Sequence, residues 1–236
     1  ARSGERPAST SSSSSWCMLT PWAVPWLGSD NIYNRYMFDA RFYFPVIKTD
    51  KTFRAWMVWR SRVQVGYIHS SQPNGVPIFE RYFPGGIFSD GGLRGYRLRT
   101  LGPKIVVRES PDPTAVGVAY PVGGNLLTAM NNELEFMMVP AANIKGLVFF
   151  DIGNAFNTEG VYCANSPSAD QLPKADPCGS FGFANLRYST GFGFRWQSPI
   201  GPLRFEWGFP LDRILGTELL PSEDPVVFEF NVGTGF

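Results

Sequence analysis

The sequence predicts an all-β fold and, within that class, an antiparallel transmembrane β-barrel. Three observations carry this. From Ile32 onward, seven stretches alternate apolar and polar residues with period two. Most are longer than the ~5–6 residues of a common soluble strand and reach the ~9–11 that a tilted strand needs to cross a bilayer. Their polar faces carry Arg and Glu, their apolar faces carry large aromatics, and the connections between them alternate short and long. Alternation alone leaves a soluble β-sandwich with one wet face open. The asymmetry of the connections favours a barrel, whose short turns lie on one side of the membrane and long loops on the other.

Composition excludes several other classes. Charged residues are 17% and aromatics 15% of the chain, too apolar for a wholly disordered chain. The 25 glycines and 20 prolines rule out a coiled coil or helical bundle. No apolar run is long enough for a transmembrane helix. A net charge of +1 gives no footprint for nucleic acid. The single histidine, His69, leaves little room for a His-rich metal site or a Ser-His-Asp triad.

Residues 1–27 are expected to form a low-complexity or irregular segment. ARSGERPASTSSSSS cannot build a core, and it is not a signal peptide, since no apolar stretch follows its basic start. Trp16–Leu27 alternates as a strand would, but Pro21 and Pro25 remove two ladder donors. The strands then follow in order. Ile32–Val46 sets Tyr36, Phe38, Phe42 and Phe44 against Arg35, Asp39 and Arg41. Phe53–Ile68 sets Met57, Trp59, Val65 and Tyr67 against Arg60, Arg62 and Gln64. Asn125–Met138 opposes Met130, Leu134 and Phe136 to Asn131, Glu133 and Glu135. Ile144–Phe156 opposes Val148, Phe150 and Ile152 to Lys145, Phe149 and Asp151. Leu186–Gln197 opposes Tyr188, Phe192, Phe194 and Trp196 to Arg187, Ser189, Gly191 and Arg195. Leu203–Phe209 opposes Phe205 and Trp207 to Arg204, Glu206 and Gly208. Val226–Phe236 opposes Phe228, Phe230, Val232 and Phe236 to Glu229 and Asn231. The short connections are Ile47–Thr52, Val139–Asn143 and Ser198–Pro202, and the long ones are His69–Asn125, Asn157–Asn185 and Pro210–Pro225.

Within the long connection 69–125, Phe79–Lys104 reads FERYFPGGIFSDGGLRGYRLRTLGPK, with Leu93-Arg94-Gly95-Tyr96 at its centre and Gly102-Pro103-Lys104 behind. Farther on stand VFFDIGNAF (Val148–Phe156), SPIGPLRFEWGFPL (Ser198–Leu211) and FEFNVGTGF (Phe228–Phe236). These motifs, in this order and preceded by GSDN at Gly28–Asn31, resemble the BamA-type outer-membrane assembly factors, or insertases. The resemblance covers Gly28–Phe236 and implies that residues 28–236 are the C-terminal portion of a larger barrel, with seven strands, or eight if Trp16–Leu27 joins them. It implies that loop 69–125 folds into the lumen, where Arg94 meets carboxylates of the inner wall. The matching wall positions are Glu135 and Asp151, with Phe149 beside them. Alternation independently turns both carboxylates inward. A guanidinium offers such carboxylates a planar fork of donors, and Gly95 lets the backbone approach the wall closely.

The remaining inward charges, Arg60, Arg62, Arg187, Arg195, Arg204, Glu133, Glu206 and Glu229, read as solvated wall, with Arg195 and Glu206 placed to pair across the Ser198–Pro202 turn. Glu133 and Glu135 have the residue type of a hydrolytic pair but no accompanying motif. Cys163 and Cys178 share the loop Asn157–Asn185. They are candidates for a disulfide stabilising by roughly 3 kcal/mol in an oxidising compartment, with two free thiols as the alternative; Cys17 is left over. Phe228, Phe230, Val232 and Phe236 line one face, which resembles the C-terminal pattern that insertion machinery reads in outer-membrane proteins and equally suits ordinary lipid-facing side chains.

The resemblance implies a bacterial outer-membrane factor that inserts and folds other barrel proteins. The alternative is a polypeptide secretion transporter of the same superfamily, of the two-partner-secretion or TamA-like kind. The implied partners are the lipid bilayer, unfolded outer-membrane proteins and periplasmic accessory lipoproteins. No cofactor, metal, nucleic acid or enzymatic step is expected.

Overall fold

A computed structural model describes residues 13–19, 22–23, 32–48, 55–108, 117–161, 181–199, 201–216 and 221–233. Its strands are, in chain order, β1 (Ser13–Leu19), β2 (Trp22–Ala23), β3 (Tyr33–Lys48), β4 (Ala55–Ser70), β5 (Lys104–Arg108), β6 (Gly117–Pro121), β7 (Leu126–Val139), β8 (Ile144–Phe156), β9 (Arg187–Ser198), β10 (Gly201–Pro210) and β11 (Val227–Val232). One antiparallel sheet runs β1-β3-β4-β7-β8-β9-β10-β11, with β2 also paired to β3. The sheet is open, with β1 and β11 at its two ends. It is a partial barrel.

Two sequence expectations are corrected. Residues 1–27 are not irregular throughout: Ser13–Leu19 and Trp22–Ala23 both pair with β3. The two pieces hold one register, Leu19 opposite Met37 and Trp22 opposite Asn34. The serine run has no alternation to read, because backbone pairing to β3 forms this strand and Ser14–Cys17 stay exposed. The long connection 69–125, read above only as a connection, also holds two strands, β5 and β6, which pair within it. At five residues each, they are too short for a period to stand out. Gly28–Asn31, Cys163, Cys178 and Phe236, named above for their motifs, lie outside the described residues.

The sheet is inside out by the standards of a soluble protein. Phe192, Phe228, Phe230 and Val232 are exposed on one face, while Asn131, Glu133, Asp151, Ser189 and Glu206 are buried on the other. Aromatics on this face pair across neighbouring strands: Phe194 stacks on Phe205 (4.6 Å between ring centroids), while Phe205 and Phe230 (4.9 Å) and Trp207 and Phe228 (5.1 Å) meet at a tilt. Each such pair adds about 0.5–1.5 kcal/mol beyond its buried area. An apolar aromatic face over strands of this length fits hydrocarbon, not water.

Register places the inner wall in rows. One row reads Arg60, Glu133, Phe149, Gly191, Gly208 and Val227 across β4, β7, β8, β9, β10 and β11. The next row on one side holds Asn131, Asp151 and Ser189. On the other side it holds Glu135, Leu147, Gly193, Glu206 and Glu229. The β7–β8 turn helps to set these rows. Pro140–Ala142 forms a single 3-10 turn, and Asn143 closes it in the left-handed region at φ 51°, which Asn tolerates better than most residues.

Candidate functional site

The loop between β4 and β7 lies against the inner wall. Leu93, Tyr96 and Leu101 cluster with Ala129 of β7, and Tyr82 with Ile68, Leu127 and Ala155. A backbone bridge between Tyr82 and Gly124 closes the base of the loop. This apolar contact brings Arg94 to the wall, where it is 2% exposed.

All three guanidinium nitrogens of Arg94 donate to wall carboxylates. Nε donates to Asp151 Oδ2 (2.7 Å), Nη2 to Asp151 Oδ1 (2.8 Å) and Nη1 to Glu133 Oε2 (2.8 Å). Its backbone N–H also donates to Asp151 Oδ2 at 3.1 Å. Its Cζ lies 3.7 Å from the centre of the Phe149 ring, close enough for a cation–π contact. Glu206 Oε1 is 3.6 Å from Nη1. Burial opposes the charge on Arg94, yet Asp151, with Glu206 and Glu133, holds its pKa above the ordinary guanidinium value.

Asp151 and Phe149 thus stand at the Arg94 site, but Glu135 does not. Glu133, two residues earlier on the same face, takes the place expected of Glu135. Glu135 instead binds Lys145 Nζ (2.7 Å) and Arg195 Nη1 (2.8 Å), with Arg60 at 3.5 Å. Alternation identifies the face of a carboxylate but not its height along the strand, and register puts Glu133 opposite Phe149. Arg195 and Glu206 approach only to 3.9 Å, because Arg195 bridges Glu133 and Glu135 while Arg204 forks onto Glu206 at 2.5 and 2.8 Å.

Gly95 follows in a left-handed conformation (φ 85°), and an added Cβ would lie 3.1 Å from Phe209 N and from Ser189 Cβ. Gly208 meets it from the wall, where a Cβ would come within 2.5 Å of Gly95 Cα. Backbone therefore packs on backbone, with Phe149 filling the space above Gly191. Tyr96 fastens the other end. Its hydroxyl lies 2.6 Å from Tyr188 O and 2.5 Å from Asp212 Oδ1, its one proton shared between these two acceptors. Arg187 lies 4.9 Å over its ring while donating to Asp212 (2.8 Å) and Glu223 (2.6 Å). Burial pushes the Tyr96 phenol up, against Arg187 and with help from Asp212. Asp212 and Glu223 lie in the connection between β10 and β11. Sequence reasoning missed them because that loop has no periodicity to assign its side chains.

Gly102 is also left-handed (φ 93°), and the Pro103 carbonyl accepts the Val122 N–H at 2.9 Å. Lys104 is 6% exposed and donates to Gly102 O at 3.3 Å. Burial pushes its pKa down to about 8, reinforced by Arg187 and opposed by Glu223. An undocked Lys104 regains its ordinary, higher value, so between these two values the docked state binds fewer protons. Docking of this hairpin should therefore strengthen as pH rises above about 8. Hydrogen exchange at Ile105–Val107, corrected for intrinsic rate, is expected to slow between pH 7 and pH 9.5, and Lys104→Met should abolish that gain.

The terminal aromatics are placed on the outer face, with Phe228 53%, Phe230 47% and Val232 56% exposed. Cys17 is an exposed free thiol.

A family model described as the Omp85 superfamily domain matches residues 9–236. The chain is 29% identical over 218 residues to the outer membrane protein assembly factor BamA of Neisseria meningitidis, covering 89% of this chain and 24% of that protein. It is 29% identical over 179 residues to the BamA of Nitratidesulfovibrio vulgaris, covering 76% and 18%. The crystal structure of BamA from Haemophilus ducreyi lacking POTRA domains 1–3 is similar with a TM-score of 0.68 at 25% identity, covering 93% of this chain and 39% of that one. The chain thus spans 24% and 18% of the lengths of these two curated relatives.

Proposed function

The chain belongs to the Omp85 superfamily, and on that premise we propose that it is the C-terminal portion of a bacterial outer-membrane barrel that inserts and folds other outer-membrane proteins. The observation that carries this reading is the seat of the Arg94-Gly95-Tyr96 loop on the inner wall, in a chain whose relatives are named as assembly factors. Those relatives favour insertion over polypeptide secretion.

The chemistry asked of this chain is physical, with no cofactor and no covalent step. The aromatic outer face holds the sheet in the bilayer. The docked loop braces the inner wall and keeps its charges paired away from lipid. An open strand edge offers unpaired N–H and C=O groups, and an incoming unfolded strand can add to such an edge by backbone hydrogen bonds. Unfolded outer-membrane proteins are then the substrates, the lipid bilayer the solvent, and periplasmic accessory lipoproteins the partners that deliver substrate.

The test uses a complete barrel carrying this sequence, reconstituted in liposomes with a urea-denatured outer-membrane barrel as substrate. Folding is followed by heat-modifiable gel mobility. The expected result is faster folding than in empty liposomes. No acceleration, with an unfolded soluble passenger reaching the vesicle interior instead, would favour secretion and overturn the proposal.

A further inference from the structure

Glu206 of β10 and Glu229 of β11 stand directly opposite each other on the inner wall. Like charges in that position weaken strand pairing, and Glu229 sits in β11, which has six residues and lies at an end of the sheet. The loop resolves the conflict from both sides. Arg94 Nη1 lies 3.6 Å from Glu206 Oε1, adding to the Arg204 fork on that carboxylate. The Ile87 N–H donates to Glu229 Oε1 at 2.7 Å. Glu229 Oε2 is shut off from solvent and finds no hydrogen-bond partner among the described residues. The two supports move together, because Gly86 N–H donates to Leu93 O at 2.7 Å, tying the loop tip to the residue before Arg94. The fit at the tip is close: a Cβ on Gly86 would lie 3.2 Å from Glu229 Oε1.

We propose that Glu229 makes the pairing of β11 conditional on loop docking, so that undocking the loop loosens the terminal strand. With the loop away, Glu229 loses its N–H donor and Glu206 loses Arg94. Two carboxylates then face each other across one strand pair, with Arg204 on Glu206 and Arg195 3.9 Å from it as the wall cations beside them. Glu229 is a positioning residue here, holding β11 closed while the loop is seated. Its consequence for insertion rests on the function proposed above, since the end strand offers the edge to which a substrate adds. The coupling itself does not.

Hydrogen exchange of residues 227–232 in the complete barrel tests it, in the parent protein, Arg94→Ala, Glu229→Gln and the double variant. Glutamine keeps an oxygen for the Ile87 N–H and removes the charge. Arg94→Ala is expected to speed exchange in β11 by roughly tenfold or more, the scale of losing a hydrogen bond to a charged group. Glu229→Gln alone should match the parent, and adding it to Arg94→Ala should restore most of the protection. Unchanged β11 exchange in Arg94→Ala, with loop residues 84–94 exposed, would overturn the proposal. So would a double variant exchanging as fast as Arg94→Ala. If the alanine variant fails to assemble, Arg94→Lys serves the same comparison. The readout needs no substrate, so its failure and that of the proposed function are separable.

Discussion

Arg94→Ala is expected to weaken docking of the loop by about 3–5 kcal/mol, the usual cost of removing one partner from a buried ion pair. The size follows from burial on both sides: Arg94 is 2% exposed and Asp151 0%. Asp151 loses the two side-chain donors of the fork and Glu133 loses one. Around the site, Asp151, Glu133 and Glu206 face Arg94, Arg195 and Arg204, so deleting Arg94 leaves the group one positive charge short. Arg94→Lys should fall between the parent and alanine, because an ammonium cannot fork onto Asp151 while reaching Glu133. Asp151→Asn should also release the loop, and Arg94→Ala with Asp151→Asn should cost less than the sum of the two. Limited proteolysis of residues 84–104 measures the docking, and heat-modifiable mobility verifies that the strands remain assembled.

The second large effect needs no charge. Gly208→Val should also expel the loop, since any Cβ at Gly208 runs into the backbone of Gly95. Backbone cannot yield as the end of a flexible side chain can, and overpacking of this kind costs about 1–3 kcal/mol or more. Valine suits an extended strand, so β10 itself should persist. The expected result is a protease-sensitive loop over an intact barrel, with Glu133 and Glu135 still bridged by Arg195. Protection equal to that of the parent would mean that the close approach of Gly95 and Gly208 does not position the loop.

Most of this architecture is legible in residue order because a barrel strand states its two environments in alternation. Phe192, Phe194 and Trp196 against Gly191, Gly193 and Arg195 define both a strand and its lipid face. What alternation cannot supply is height, which depends on how hairpins close. That is why the face of Glu135 was readable and its partner was not: register sets Glu133, not Glu135, beside Phe149. Ser13–Leu19 shows the complementary gap, for a strand held by backbone pairing to β3 needs no apolar face of its own. The Tyr96 anchor drew on Asp212 and Glu223, loop residues whose role appears only once Arg187 and Tyr188 are placed beneath them.

The seat of the loop on the inner wall can be tested directly by one cross-link. A Cβ on Gly91, a left-handed residue at φ 79°, would lie 2.9 Å from the Ala129 Cβ, closer than the ~3.5–4.5 Å of a disulfide, so a bridge forms with an outward shift of the loop backbone. In a complete barrel with Cys17, Cys163 and Cys178 changed to serine, Gly91→Cys and Ala129→Cys are introduced together, oxidised in intact cells and mapped by mass spectrometry of non-reduced peptides. The account predicts a recovered 91–129 linked peptide whose yield falls when Arg94→Ala is added. Two freely alkylated thiols at 91 and 129, in a protein where a control pair at the register partners Ala129 and Gly153 does cross-link, would contradict it.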